Sequence, residues 1–385
     1  MIPKITQHPV NWVDGMKISK QHFVEFENFI LDYIRDNQAA GLSGFNYGIL
    51  PATDAFEVSI QSDYHQQVTV KVIHCKALTP AGYRIELDHC STLYTTCSFR
   101  DLAEKYDLQS GQSHELYILL SVNPFKRQPA GAPLVDESPP RHPFTESTYD
   151  LAVLPVSAIN PHSLTNQLII GKLQYHNGEI AHQSQYLPAA MSVSSLPALK
   201  NWHHQFGELM SELSKYAIRI IHKIKNKDQK NSLADNVGLL AEKLLQSINN
   251  QSIEYRWKII FDQPVNLLLC LLHNIITVQQ TLDCLTGKDR EELTGYISEW
   301  ADLSPGTLEK NTQSVLSLDY NHVEIAALCQ EVYQYYQMLT TTFSKLSQLE
   351  FIGKRKGQNV FIVEHEVKEP PPQQPEKKPR WSPLT

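Results

Sequence analysis

Six cysteines and sixteen histidines give this chain of 385 residues the raw material for a metal site or a thiol nucleophile, so their spacing is the first question. His74-Cys75 and His89-Cys90 come nearest to a site. Neighbours in an extended strand send their side chains to opposite faces, so neither pair is a Cys-His dyad, and zinc would need both pairs brought together. His203-His204 fall in a helical pattern, where one step turns the direction by about 100°; two helical metal ligands belong at i and i+4, and this pair reads as surface histidines. Gly41-Leu42-Ser43-Gly44 follows a helical stretch and lacks the lysine of a phosphate loop, so it reads as a helix stop. There is no Gly-x-Ser-x-Gly elbow, and the acidic residues spread along helix faces instead of converging. Cys75, Cys90, Cys97, Cys270, Cys284 and Cys329 contain no Cys-x-x-Cys pair and are expected to be reduced core thiols. The pattern offers no catalytic residue, metal ligand or cofactor site; an enzyme with a pocket in the β region is the remote alternative.

The residues that stand out have the chemistry of recognition. In the stretch from Val10 to Phe23, Trp12 is a large ring in a polar approach, Asp14-Gly15 is a turn pair leading to Met16, and Ser19 can cap a helix carrying Gln21, His22 and Phe23. Phe23, Phe26, Phe29, Ile30 and Tyr33 recur at three and four, which makes one apolar stripe. Trp12 is the aromatic anchor type that interface cores use, and His22, with no proton-transfer partner nearby, reads as a capping or interface residue. At the other end the run from Glu369 to Trp381 is rich in proline and charge, which predicts an extended tail. Pro371, Pro372 and Trp381 make it a candidate linear docking motif.

These residues need elements to hold them. From Phe45 to Pro188 the period is two, as in Phe56/Val58/Ile60, Val68/Val70/Val72 and Tyr83/Ile85/Leu87, with Asn177-Gly178 as a hairpin signal. An antiparallel β-sandwich is expected, interrupted from Pro124 to Tyr149 by a proline-rich surface loop or arm. After Ser192 the period becomes 3.6: Phe206, Met210, Leu213, Ala217, Ile220 and Ile224 form one stripe, and Leu233, Val237, Leu240, Leu244 and Ile248 a second. A third helix is expected with Asp262 as cap and Pro264 in its first turn, and a fourth from Lys288 to Trp300. The last helix carries Ile325, Leu328, Val332, Tyr335, Leu339, Thr342, Leu346 and Leu349 in unbroken heptad spacing, a seam for a trimer or for the bundle itself. The fold class is α+β and multidomain: residues 1–192 hold the motif and β-sandwich, 193–350 a helical bundle, and 351–385 a short segment, with one possible strand at 360–363, and the proline-rich tail.

A formal net charge of −7 without a long basic block argues against nucleic acid. The cluster Lys223-Ile224-Lys225-Asn226-Lys227 suits a solvated helix end. The start lacks the pattern of a signal peptide, which predicts a cytoplasmic protein, and the apolar run from Leu267 to Ile276 is interrupted and shorter than the ~20 residues of a membrane span.

Trp12, Asp14, Gly15, Met16, Gln21, His22 and Phe23 resemble, position by position, the opening signature of the TssK family of type VI secretion baseplate subunits. Lys20 replaces the family's proline, and Lys17 stands at a position that is usually apolar. The resemblance implies a shell-and-neck architecture and a homotrimer whose shell holds the TssF and TssG wedge proteins, as a structural component recruited to the inner membrane face. It also implies a carboxy-terminal head for docking to TssL and TssM; the short segment after the last helix suggests a reduced head and a different membrane-side partner. A phage-tail or other contractile-injection baseplate adaptor is the alternative of the same physical class.

Overall fold

The computed structural model describes residues 3–353 except 64–66, 89–92, 110, 161–162, 177–178 and 227–230. The alternating region folds as two antiparallel sheets. The spine of the first is β3 (Gln67–Leu78), which pairs with β2 (Glu57–Ser62) and β5 (Tyr94–Ser98) along its first half and with β1 (Gly48–Ile49) and β4 (Arg84–Leu87) along its second. The second sheet has the order β7 (Phe144–Pro155), β6 (His114–Ala130), β8 (Gln167–His176), β9 (Glu179–His182). His176 pairs with Glu179, so the strands flanking Asn177-Gly178 do form a hairpin, while the turn itself lies outside the described residues. Val68, Val70 and Val72 of β3 share one buried cluster with Leu116, Ile118 and Leu120 of β6 and Leu168 and Ile170 of β8. Burial of each such side chain contributes roughly 1.5–3 kcal/mol. A short helix that the alternation hid, α2 (Phe99–Tyr106), follows β5; the Ser98 hydroxyl accepts the Asp101 N–H at 3.1 Å as its cap.

Two features of this half go beyond what the pattern showed. The stretch from Pro124 to Tyr149 is mostly a β-arm, because β6 and β7 stay paired beyond the core from Arg127/Ser147 to Ala130/Phe144 after a register shift. Much of the arm is exposed, so no alternation of polarity marks it, and ladder hydrogen bonds are made by a backbone that is blind to sequence. His74 and Cys75, neighbours on β3, are both buried: Nδ1 of His74 lies 3.1 Å from the Ala55 carbonyl, and burial pushes the Cys75 thiol up to about 12. The second pair, His89-Cys90, lies outside the described residues.

The 3.6 period yields α3 (Pro197–Lys225), α4 (Ser232–Trp257), α5 (Pro264–Asp283), α6 (Gly287–Ala301), α7 (Thr307–Leu316) and α8 (Ile325–Gln348), with α3 packed on both α4 and α8. The short α7 has no counterpart among the expected helices. Gln263, not Asp262, is the cap residue of α5; the Asp262 carbonyl instead accepts the Val193 N–H at 2.9 Å. His203 is not a surface histidine: its ring stacks on Tyr255 at 4.4 Å and its Nε2 bonds the Tyr255 carbonyl at 3.0 Å, clasping α3 to α4, while His204 is exposed. Within the basic cluster Lys223 is not solvated but donates to the carbonyls of Ser347 and Leu349, closing the end of α8. Ile325, Val332, Tyr335, Leu339, Thr342 and Leu346 are buried inside the single chain, and Leu328 and Leu349 are partly buried against the same core. The bundle itself therefore fills the α8 seam.

One hydrophobic cluster runs through both halves, and the loop from Leu318 to Glu324 fastens them. His322 is buried there; its Nε2–H donates to the Tyr47 carbonyl at 2.9 Å and its Nδ1 accepts the Tyr320 hydroxyl at 2.7 Å. Two residues on, Glu324 accepts the Tyr117 hydroxyl at 2.7 Å and the Lys172 ammonium at 3.1 Å. Burial lowers the His322 pKa to about 4, whereas an unfolded imidazole titrates near 6.5. The unfolded chain takes up this proton first, so the contribution is complete above pH 6.5 and is lost as pH falls to 4, about 3 kcal/mol in all. Urea titrations at pH 7 and pH 4 are expected to show wild type losing about 3 kcal/mol more over that interval than His322→Gln.

Candidate functional site

The amino-terminal helix α1 (Lys20–Ala39) is built with its polar side inward. Asp32 and Arg35, one turn apart, are both buried and joined by two bonds, at 3.0 Å from Nε and 2.7 Å from Nη2 to Oδ1. The other carboxylate oxygen accepts the N–H groups of Thr6 at 2.6 Å and Gln7 at 3.0 Å, and Arg35 Nη1 donates to the Pro3 carbonyl at 3.1 Å. The ion pair thus ties the extended amino-terminal segment to the helix. Burial acts to raise the Asp32 carboxyl; the Thr6 N–H, the Arg35 guanidinium and the Gln7 N–H outweigh it and hold the group below its ordinary value. Two further contacts press the helix onto the sheets. Gly82, at φ +88°, lets the backbone come so close that a Cβ there would lie 2.8 Å from the Arg35 carbonyl, and Arg127 at the root of the β-arm donates to Glu27 and Asn28.

With its polar residues engaged below, α1 turns its apolar stripe to solvent. Phe23, Phe26, Ile30 and Tyr33 follow heptad spacing, and they, with Leu31 and Ile34, are all exposed. Just before the helix, Trp12, Val13 and Ile18 are exposed as well. These nine side chains are 38–58% exposed, which at ~150–200 Å² for a fully exposed apolar residue amounts to about 800 Å², the size of one side of a standard protein interface. A patch of that extent marks an interaction surface.

The sequence-predicted motif residues collect at the start of this face. Gly15 sits at φ +79° in a turn closed by the Met16 N–H donating to Val13 at 3.3 Å, a conformation that favours glycine. Trp12 meets the His22 ring edge-on at 6.0 Å, and His22 Nδ1 accepts the Ser19 N–H at 3.2 Å, so His22 closes the helix start and seats the tryptophan at once. Gln21 donates to Glu25 at 3.0 Å, Phe23 opens the outer stripe, and Asp14 is exposed on the turn. A groove of about 440 Å³ between the segment and the helix is lined by Gln7, Val10, Met16, His22 and Glu25, among others. The α8 seam belongs to the bundle core and lies apart from this cluster; Pro371, Pro372 and Trp381 lie outside the described residues. Among the described residues no group of three or more His, Cys, Asp or Glu side chains converges to hold a metal ion. Sequence reasoning missed Asp32, Arg35 and Arg127, although the Asp/Arg pair at i and i+3 in an otherwise apolar stretch is a readable sign of a second, polar docking side.

No protein-family model matches the chain, and no curated protein matches it. Among solved structures, a crystal structure of TssK superposes with a TM-score of 0.52 at 13% identity, covering 86% of this chain and 69% of that one. The chain has the TssK fold. Two weaker likenesses add nothing to that comparison: TssK from the type VI system of EAEC in complex with nanobody nb18, with a TM-score of 0.48 at 13% identity over 84% of this chain and 68% of that one, and the TssK-TssF-TssG baseplate subcomplex, with 0.43 at 12% identity over 86% and 99%. The amino-terminal antiparallel sheets and the helical region that follows correspond to the expected α+β order of a TssK-like shell and neck.

The inward ion pair is the testable basis of the outward stripe. Asp32→Asn strands a buried guanidinium and is expected to cost about 3–5 kcal/mol in denaturant titrations, whereas Asp32→Leu combined with Arg35→Met recovers most of that loss. Faster hydrogen exchange at the Thr6 and Gln7 amides should accompany the single substitution.

Proposed function

We propose that this chain is a structural baseplate adaptor of a type VI secretion system, a TssK-like homotrimer that holds the TssF/TssG wedge and links it to a membrane-side complex during contractile effector delivery. In this reading it works in the cytoplasm, is recruited to the inner membrane face without inserting, and does no catalysis. The observation that carries the proposal is the outer face of α1: an apolar surface of interface size, held outward by a buried ion pair and continuous with the Trp12 to Phe23 motif that resembles the TssK signature. The TssK fold supports it. The wedge proteins dock on Trp12, Met16, Phe23 and the stripe beyond, with Asp14, Gly15, Gln21 and His22 shaping the turn and helix start that present them. Pro371, Pro372 and Trp381 are the proposed contact for the membrane-side partner.

Co-expression of the tagged full chain with the wedge proteins of its operon tests the proposal. Wild type is expected to retain both, and Phe23→Glu combined with Ile30→Glu to retain at least tenfold less, because a buried unpaired charge at an interface core costs well over 1.4 kcal/mol. Both substituted side chains are exposed, so the variant's thermal midpoint should be nearly unchanged; equal retention of the wedge by the variant would refute the docking assignment.

A further inference from the structure

The docking face of α1 is bordered on both sides. At about 100° per residue around the helix, Phe26, Ile30 and Phe23 lie between His22 on one flank and Glu27 on the other. His22 meets the Trp12 ring at 6.0 Å, so the amino-terminal turn stands along the first flank. The β-arm stands along the second, because Arg127 at its root donates to Glu27 and to Asn28. A bulge puts it there. Asn123 pairs with Thr148 and Arg127 with Ser147, so Pro124, Phe125 and Lys126 are extra residues on β6 with no counterpart on β7. Bulges bend a strand and re-aim its side chains. Here the Asn123 side-chain oxygen accepts the Phe125 and Lys126 N–H groups, each at 3.1 Å, and Phe125 meets the Tyr83 ring edge-on at 6.3 Å. Tyr83 in turn lies under the Arg35 guanidinium at 5.7 Å. The arm and α1 therefore share one mount.

Beyond the bulge the arm is a two-stranded ribbon, from Arg127/Ser147 to Ala130/Phe144, followed by a tip over residues 131–143. A two-stranded ribbon has little to stabilise it in water by itself. Its tip is nevertheless closed: the Leu134 N–H donates to the Arg141 carbonyl at 2.9 Å, and the His142 Nδ1–H to the Gly131 carbonyl at 2.8 Å. The arm also holds apolar side chains out. Val135 is 82% exposed, more than any other large apolar side chain among the described residues, with Phe144 at 70% and Leu134 at 39%. At ~150–200 Å² for a fully exposed apolar residue these three amount to about 300 Å², the lower end of the range of functional surface patches.

We propose that the β-arm is a side wall of the α1 docking face and that the partner seated on α1 also packs against Leu134, Val135 and Phe144. The proposal rests on the wedge-docking reading above and adds the arm to that site. Continuity identifies the occupant: the arm is fastened through Arg127 to the flank of the docking face itself, with no other element between them. The occupant is thus a wedge protein presenting an apolar surface wide enough to cover the helix and reach the arm. A tip already closed by its own hydrogen bonds loses little freedom on being covered, which favours binding.

Two readouts on the full chain co-expressed with the wedge proteins of its operon test the arm. A photocrosslinking benzoylphenylalanine in place of Val135 is expected to crosslink to a wedge protein; crosslinks only between identical chains, or none, would overturn the proposal. Val135→Asp combined with Phe144→Asp is expected to retain the wedge at least tenfold less than wild type, with a nearly unchanged thermal midpoint because both side chains are exposed. Full retention by this variant, where Phe23→Glu combined with Ile30→Glu loses the wedge, would overturn the role of the arm and leave the α1 face standing. A wild type that retains no wedge protein would refute the docking reading and the arm's role with it. Should the double variant misfold, the crosslink decides, since it introduces no charge.

Discussion

The placement of α1 depends on the buried contact between Asp32 and Arg35. A helix whose apolar stripe is its longest continuous feature would ordinarily turn that stripe into the core, as α3 does against α4 and α8 with Phe206, Met210 and Leu213. Here the desolvated ion pair, completed by the N–H groups of Thr6 and Gln7 and the carbonyl of Pro3, ties the opposite side to the amino-terminal segment. Burying two charges is favourable only with such complete partnering, and breaking it is costly, so the helix is held in one rotation. The outward stripe follows from that rotation. In α5 the same logic recurs with a neutral residue, Asn274, fixing which apolar side stays inside.

The rest of the molecule supplies a rigid mount for this face. Arg127 ties α1 to the root of the β-arm, and the close passage over Gly82 sets its distance from the sheet. The sheets in turn share one core with the helical bundle, and His322 and Glu324 fasten the two through hydrogen bonds to Tyr47, Tyr117 and Lys172. A load applied at α1 is therefore passed to the helices through packed side chains and hydrogen bonds, which suits an adaptor between two other bodies.

Much of the fold was legible because period and burial agree. Val68/Val70/Val72 on a strand and Phe206/Met210/Leu213 on a helix each face one core, so the pattern names the element and its inner side together. Legibility ended where a pattern has two physical solutions. The heptads of α8 and of α1 look alike in sequence, yet one is filled inside the chain and the other is open to solvent, and only the polar residues on the far side, Asp32 and Arg35, distinguish them. The β-arm was readable only as a surface loop or arm, because its pairing is made by the backbone. Of the motif, the turn and helix start were readable from residue types; that Trp12 rests on His22, and that the helix behind it is turned apolar side out, needed tertiary contacts.

Hydrogen exchange read by mass spectrometry on the full chain, alone and saturated with the TssF/TssG wedge proteins, tests the docking role of α1 most directly. If the outer face of α1 is the docking surface, protection should concentrate in residues 10–34 while the amides of α8 change little. Wedge binding that protects only the bundle or the sheets and leaves residues 10–34 exchanging as in the free chain would contradict it.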